Sequence, residues 1–435
     1  MFRRWFLAAL FLLAVSVSAP PAPAQPNIEF ERSRMRSMLN IISREVEKNF
    51  YDPALKGRDW AALTEQARKR IDEASTVGDM FTAIYTMVNQ LDDSHTVFIP
   101  PMRSARVLFG FEAKPFKDEI RVYEVRKGSA AEKAGLKVGD RIHLINGFRA
   151  ERNSFDIMMI YLRALRPVVA MEMVVSRADE SPRTIRVDGQ VKQGAVVRDL
   201  TNIDTIYELI REAESEKVYF YHNRFDGEIG YLQLPYFSAD YNFMYGLLKR
   251  VDKSKAVIVD LRGNPGGSLN GLKDFTSHFE PEKKIMAELR GRKKPETVEL
   301  KPRKPNFPGP VIVLVDSQSA SASEMFARHF QLTGRGMVIG DETSGRVTAS
   351  KTYIQKMGAD IGFLYGVQVA FARVVFPDGS ELEKRGVTPD LACVPTQQQL
   401  AAEQDVCLGM ALKVAREKLG LPPLGEKKLD GDAKN

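Results

Sequence analysis

Val311-Ile312-Val313-Leu314-Val315-Asp316 runs directly into Ser317-Gln318-Ser319-Ala320-Ser321-Ala322-Ser323-Glu324-Met325-Phe326-Ala327, and this join decides how the largest domain is read. Five consecutive branched apolar residues suit a strand covered on both faces. The small residues that follow permit a sharp turn, and Ala322 to Leu332 has helical spacing. A strand-turn-helix junction lifts a hydroxyl to the sheet edge beside a helix N-terminus, where amides and the macrodipole favour negative charge. The pattern equally suits a helix that alternating Ser and Ala merely cap.

Working outward, short apolar strands alternate with helices on both sides of this join. Gly227 to Leu234 and Ala256 to Arg262 read as strands, with a helix at Tyr241 to Val251 between them and a further strand at Met337 to Gly340. Asp260-Leu261-Arg262-Gly263-Asn264-Pro265-Gly266-Gly267 leaves the second of these strands. Pro265 fixes one φ and the glycines free others, so an amide can turn into a cleft as an oxyanion donor. A phosphate loop does not fit, because Ser268-Leu269 follows where a P-loop needs lysine.

Upstream, Ile120 to Val125 alternates as a half-buried strand. Ser129 opens a short helix through Leu136, and Val138 to Gly147 is a strand entering an Asn-Gly turn. The series from Gly128 to Gly147 resembles a PDZ domain. That resemblance implies a carboxylate-accepting loop at Leu108, Phe109, Gly110 and Phe111 with a peptide adding at the sheet edge; a PDZ fold serving as spacer or gate is the alternative. Before it, Met35, Met38, Leu39, Ile42 and Val46, then Met80, Ile84, Met87, Val88 and Leu91, form helical stripes. These end at Asp92-Asp93-Ser94-His95-Thr96.

Composition excludes several function classes. At 44% hydrophobic and 27% charged, the chain has apolar residues enough for substantial cores. Its +7 net charge falls to +5 without Arg3 and Arg4, and the basic clusters lack interleaved aromatics, so nucleic-acid binding is not expected. His95, His143, His222, His278 and His329 never pair at ligand spacing, so no metal is expected. Residues 1–24 read as a signal peptide: Arg3-Arg4, an apolar run to Ala19, then Ala22-Pro23-Ala24. The expected location is therefore periplasmic or secreted, by the general or the twin-arginine route. Cys393 and Cys407, the two cysteines, suit a disulfide there or a pair of buried thiols.

The "DLRGNPGG", "SASASE" and Lys384-Arg385-Gly386-Val387-Thr388-Pro389-Asp390 blocks, in that order behind a PDZ-like module, resemble the tricorn and C-terminal processing peptidases. The resemblance spans essentially the whole mature chain. It implies an α/β multidomain protein: a helical N-terminal domain (25–104), a PDZ-like β module (105–195), a linker helix (196–217), a crotonase-like β-α spiral peptidase core (218–395), and a C-terminal helix with a disordered tail (396–435). It further implies that Ser321 is the nucleophile, with Gly266, Gly267 and Ala322 around the oxyanion. No cofactor is implied, and peptides or proteins are the expected partners.

The base is where the sequence departs from part of this family. Processing peptidases use a lysine in a Gly-Lys-Gly turn, but the matching residue here is Arg346, which stays protonated at any working pH. Lys351 is the rival candidate. The tricorn-like alternative is Ser94-His95-Thr96, giving His95 as base with Glu383, or else Glu381, polarising the site directly or through Ser94. A histidine base of ordinary pKa would place the acid limb of activity near 6 to 7. Against a peptidase stands a non-catalytic PDZ scaffold on a degenerate core.

Overall fold

The computed structural model describes residues 27–101, 105–178, 180–193, 220–357 and 363–423. The expected signal peptide, the linker helix and the tail beyond Glu426 lie outside these residues.

The two N-terminal apolar stripes wind into α1 (Ile28–Asn49) and α3 (Val77–Asn89), with α2 (Trp60–Glu73) between them. Side chains cap each start: Asn27 accepts the Glu29 and Phe30 N–H groups, Asp59 accepts Ala62 N–H, and Thr76 accepts Asp79 N–H. The helices do not close a core by themselves. Their apolar faces pack with Phe98, Tyr365, Val367, Val369 and Ala370, residues far downstream. The chain leaves them through β1 (Val97–Ile99), which pairs with one of those downstream strands.

Next comes the PDZ-like module. A ribbon of β2 (Ala105–Leu108) and β9 (Gln190–Gln193) closes its two ends. Its sheet runs in the order β3 (Phe111–Phe116), β4 (Glu119–Val125), β5 (Arg141–Ile145), β7 (Ala170–Ser176), β8 (Arg183–Asp188), and β6 (Phe148–Arg149) pairs with β5. Asn146 and Gly147, both at positive φ, make the turn between β5 and β6. The helix α4 (Ala130–Lys133), capped by Ser129, and α5 (Phe155–Ile160), continued by a π-helical turn at Tyr161–Leu165, complete it.

The remaining chain builds two sheets. One contains β10 (Tyr221–Phe225), β11 (Ile229–Gln233), β12 (Ala256–Asp260), β15 (Val311–Val315), β16 (Gly336–Gly340) and β19 (Leu391–Ala392), in that order. All neighbours except β10 and β11 run parallel. Val257, Val259, Val311 and Val313 face one side, against α6 (Tyr241–Val251), α7 (Leu269–Ser277) and α8 (Ala322–Thr333). Ile258, Ile312 and Leu314 face the other, against α10 (Val406–Leu419), which follows the short α9 (Gln397–Ala401). Both faces being covered explains the unbroken apolar runs. The second sheet is antiparallel, with β13 (Lys284–Gly291), β14 (Glu296–Leu300), β17 (Thr348–Met357) and β18 (Phe363–Val375), and β1 joins it at β18. The architecture is the α/β multidomain one expected from sequence: N-terminal helices, a PDZ domain, then a core of mixed α/β sheets. Among the described residues no helix is long and apolar enough to cross a membrane. A disulfide joins Cys393, just after β19, to Cys407 at the start of α10.

Candidate active site

Ser319, Ser321 and Ser323 stand where β15 turns into α8, the last of them already in the helix, and packing separates them. Ser319 is fully buried; its hydroxyl donates to Leu261 C=O (2.7 Å) and accepts Asp316 N–H (2.9 Å). Ser323, also buried, donates to Asn264 C=O (3.0 Å). Both tie the serine turn to the Asp260–Gly267 loop. Ser321 is half-buried and has φ +55°, a left-handed angle at which a β-carbon is strained. It is the N-cap of α8, so the turn presents Ser321 at the helix's positive end.

Glu324 holds that strained residue, and reading the sequence did not single it out as functional. Its side chain is fully buried and collects four donors: Ser321 N–H (3.0 Å), Gly345 N–H (2.8 Å), Arg346 N–H (2.9 Å) and the Thr343 hydroxyl (2.5 Å). Val387 N–H donates to the same Thr343 oxygen, so that hydroxyl's own proton points at Glu324. Burial raises the Glu324 carboxyl to about 7 even though the four donors pull it down. Every partner donates, and only a carboxylate accepts from all of them. The Ser-x-x-Glu spacing was the available signal, but it reads as an ordinary capping box.

The glycine loop lies directly against the serine. A β-carbon on Gly266 would come within 2.7 Å of Ser321 Cβ, so glycine is required at this contact. The Gly266 amide, however, donates to Asn264 Oδ1 at 2.8 Å and does not point into the cleft. This corrects the expectation that Gly266 lines the oxyanion site through its N–H. Gly267 and Ala322 N–H groups have no hydrogen-bond partner among the described residues. Asn264 also accepts Ala320 N–H at its backbone oxygen (2.9 Å) and donates its side-chain amide to Leu234 C=O (2.7 Å). Beneath it, Asp316 Oδ1 accepts Gly263, Gln318 and Ser319 N–H groups, which with Lys114 hold its carboxyl low despite burial.

His95 arrives from the far end of the chain because β1 is a strand of the core's second sheet. Thr96 Oγ1 accepts Ala370 N–H on β18 (3.1 Å) and donates to Asp93 Oδ1 (2.8 Å), which also takes His95 N–H (3.1 Å). Glu383 then grips the preceding residue twice: Ser94 N–H at 3.0 Å and Ser94 Oγ at 2.9 Å, 289 residues apart in sequence. The Ser94 hydroxyl has one proton, and Glu383 takes it. Ser94 Oγ therefore accepts from His95 Nδ1 (2.9 Å), leaving Nε2 with its lone pair free to act as a base. Desolvation and the nearby Arg346 charge lower His95 to about 4. That sits below the 6 to 7 expected for an ordinary histidine, and the ring is neutral at neutral pH.

One peptide plane joins the two halves. Arg346 C=O accepts Ser321 N–H at 2.8 Å, and Val347 N–H, in the same peptide group, donates to Glu383 at 2.9 Å. A continuous path thus leads from the serine through Arg346–Val347, Glu383 and Ser94 to His95. Glu381, the other carboxylate considered, instead pairs with Arg373 at the surface (2.8 Å). Lys351 is exposed on β17 with its ammonium 5.7 Å over the Tyr353 ring, so it does not enter this path. In the PDZ loop, Phe109 and Phe111 are buried in the module's own core, which leaves a ligand the loop backbone around Gly110.

Comparison with known proteins identifies the domains. Residues 228–393 match peptidase family S41, 32–89 match the tricorn protease C1 domain, and 101–172 match the PDZ domain. A carboxyl-terminal-processing protease of Picosynechococcus sp. is 25% identical over 398 residues, covering 88% of each chain. The carboxy-terminal processing protease CtpB of Bacillus subtilis is 26% identical over 385 residues, 86% of this chain and 71% of that protein. In fold, mature CPAF complexed with lactacystin superposes with TM-score 0.66 at 12% identity, over 90% of this chain and 100% of that one. The matches favour a peptidase over a non-catalytic scaffold. With a C1-like helical segment, a PDZ domain and a peptidase family S41 core in one chain, and relatives along nearly its whole length, this protein is a serine peptidase similar to the C-terminal processing proteases.

Proposed function

We propose that this serine peptidase is exported and cuts proteins or peptides through an acyl-enzyme on Ser321, with His95 as general base, either internally or by trimming C-termini, the latter being what its relatives' names describe. His95 Nε2 takes the hydroxyl proton while Ser321 Oγ attacks the scissile carbonyl. The imidazolium that forms is balanced by Glu383 across Ser94. Gly267 and Ala322 N–H groups receive the oxyanion, each worth about 3 kcal/mol by comparison with other oxyanion donors. His95 then returns the proton to the leaving amine, and water releases the acyl group. The observation that carries the reading is the hydrogen-bonded path from Ser321 to His95 through the Arg346–Val347 peptide.

A fluorophosphonate should label Ser321 in the folded protein. Ser321→Ala and His95→Ala should each lower peptide turnover on the order of 10⁴-fold, whereas Lys351→Ala should not. Turnover that survives His95→Ala but not Lys351→Ala would replace the base assigned here. Export rests on residues 1–24; N-terminal sequencing of the mature protein should begin at Gln25. We further assign the Gly110 loop to a peptide's terminal carboxylate, to be tested by titrating peptides with free and amidated C-termini.

A further inference from the structure

We propose that Arg346 is a specificity-determining residue whose guanidinium receives a substrate carboxylate beside the scissile bond, a seat that Asp156 of the PDZ module occupies in the free enzyme. This rests on Ser321 being the nucleophile. The backbone of Arg346 is fixed on both sides, its N–H by Glu324 and its C=O by Ser321 N–H. Its side chain therefore leaves from the loop before β17, whose backbone lies against Ser321, and its charge is felt at His95 and at Tyr85 of α3.

The pair it makes is unlike the other ties between PDZ module and core. Lys114–Asp316 (2.6 Å, side chains 15% and 10% exposed) and Arg152–Asp341 (3.2 Å, 18% and 10%) are sheltered, and Arg152 also donates to Lys117 and Glu342 carbonyls. Arg346–Asp156 is a single contact, Nη2 to Oδ2 at 2.7 Å, with side chains 41% and 49% exposed. Arg346 Nε and Nη1 have no partner among the described residues. An exposed one-point ion pair contributes little stability, so a competing carboxylate displaces it readily. The unused donors offer that newcomer the two-point geometry that guanidinium and carboxylate share. An acidic side chain or a C-terminal carboxylate near the cut is the ligand class this chemistry selects.

The test is kinetic. Cut sites are first mapped by mass spectrometry on glutamine-rich parent peptides. Glu or Gln is then placed at each position flanking the cut, and kcat/KM is compared. The wild type should prefer Glu over Gln about tenfold at one position. Arg346→Gln should bring that ratio to about one, Arg346→Lys should retain part of it, and Asp156→Asn should raise it by removing the competitor. A ratio near one at every position in the wild type overturns the inference, as does a ratio that Arg346→Gln leaves unchanged. A purely structural tie would slow Glu and Gln peptides alike. Fluorophosphonate labelling and turnover of the Gln peptides report separately on the peptidase reading, so intact turnover without acidic preference sinks only this inference.

Discussion

A side chain at φ +55° persists only where its surroundings enforce it, and at Ser321 the enforcer is Glu324. Glu324→Gln keeps the volume but turns an amide donor toward other donors. The expected cost is roughly 2–4 kcal/mol of stability, with activity reduced on the order of a hundredfold; thermal unfolding and peptide turnover measure both. Full activity in that variant would mean the turn holds itself. For His95, protonation removes the base, so activity falls as pH falls through its folded pKa. With that pKa lowered to about 4, the limb of kcat/KM that belongs to His95 should fall below about pH 5. Arg346→Gln removes the second cause of the shift and should move the limb upward; a wild-type limb at 6 to 7 contradicts the burial effect. At this scale Ser321, His95 and Glu383 came forward as candidates by motif resemblance, with Lys351 as the rival base, and the structure joins the first three through one hydrogen-bonded path. The Gly266 amide was misassigned because the neighbouring Asn264 side chain captures it, a contact no spacing reveals. Glu324 was missed because its donors come from residues some twenty positions away.

At the level of elements, strand and helix positions followed from periodicity because both faces of the parallel sheet are covered and its runs are unbroken. What periodicity could not give was β1. Three residues carry too little pattern, and their partner on β18 lies far along the chain. Yet β1 anchors the segment that brings Ser94 and His95 to Glu383. The glycine loop shows the opposite economy, with a tight approach announced by composition. A β-carbon on Gly267 would sit 2.3 Å from Phe237 C=O, at φ +136°. Gly267→Ala should therefore displace the loop and cut fluorophosphonate labelling of Ser321 by at least about tenfold. Unchanged labelling would show that the loop absorbs the clash.

For the molecule as a whole, the parts visible in sequence as separate modules are not separable in packing. The N-terminal helices share one apolar core with Tyr365, Val367 and Val369 of β18, and Ala370 is bound by Thr96 at its N–H and by Tyr51 at its C=O. A chain lacking residues 27–101 should consequently be insoluble or bind a hydrophobic dye strongly; a folded, monodisperse remainder would argue for independence. At the other end, the loop closed by the Cys393–Cys407 disulfide touches the PDZ module: Arg121 donates to Pro395 C=O (3.0 Å) and Gln397 to Ser176 C=O (3.1 Å). Finally, the Arg346–Val347 peptide that links Ser321 to Glu383 is backbone, and backbone is blind to side-chain identity. The side chain at 346 can therefore change without disturbing the hydrogen bonds on either side of that peptide. Proline at 347 is the one replacement that cuts the link outright, since it has no N–H to give Glu383. The site is therefore fixed in shape and free in chemistry at a single position.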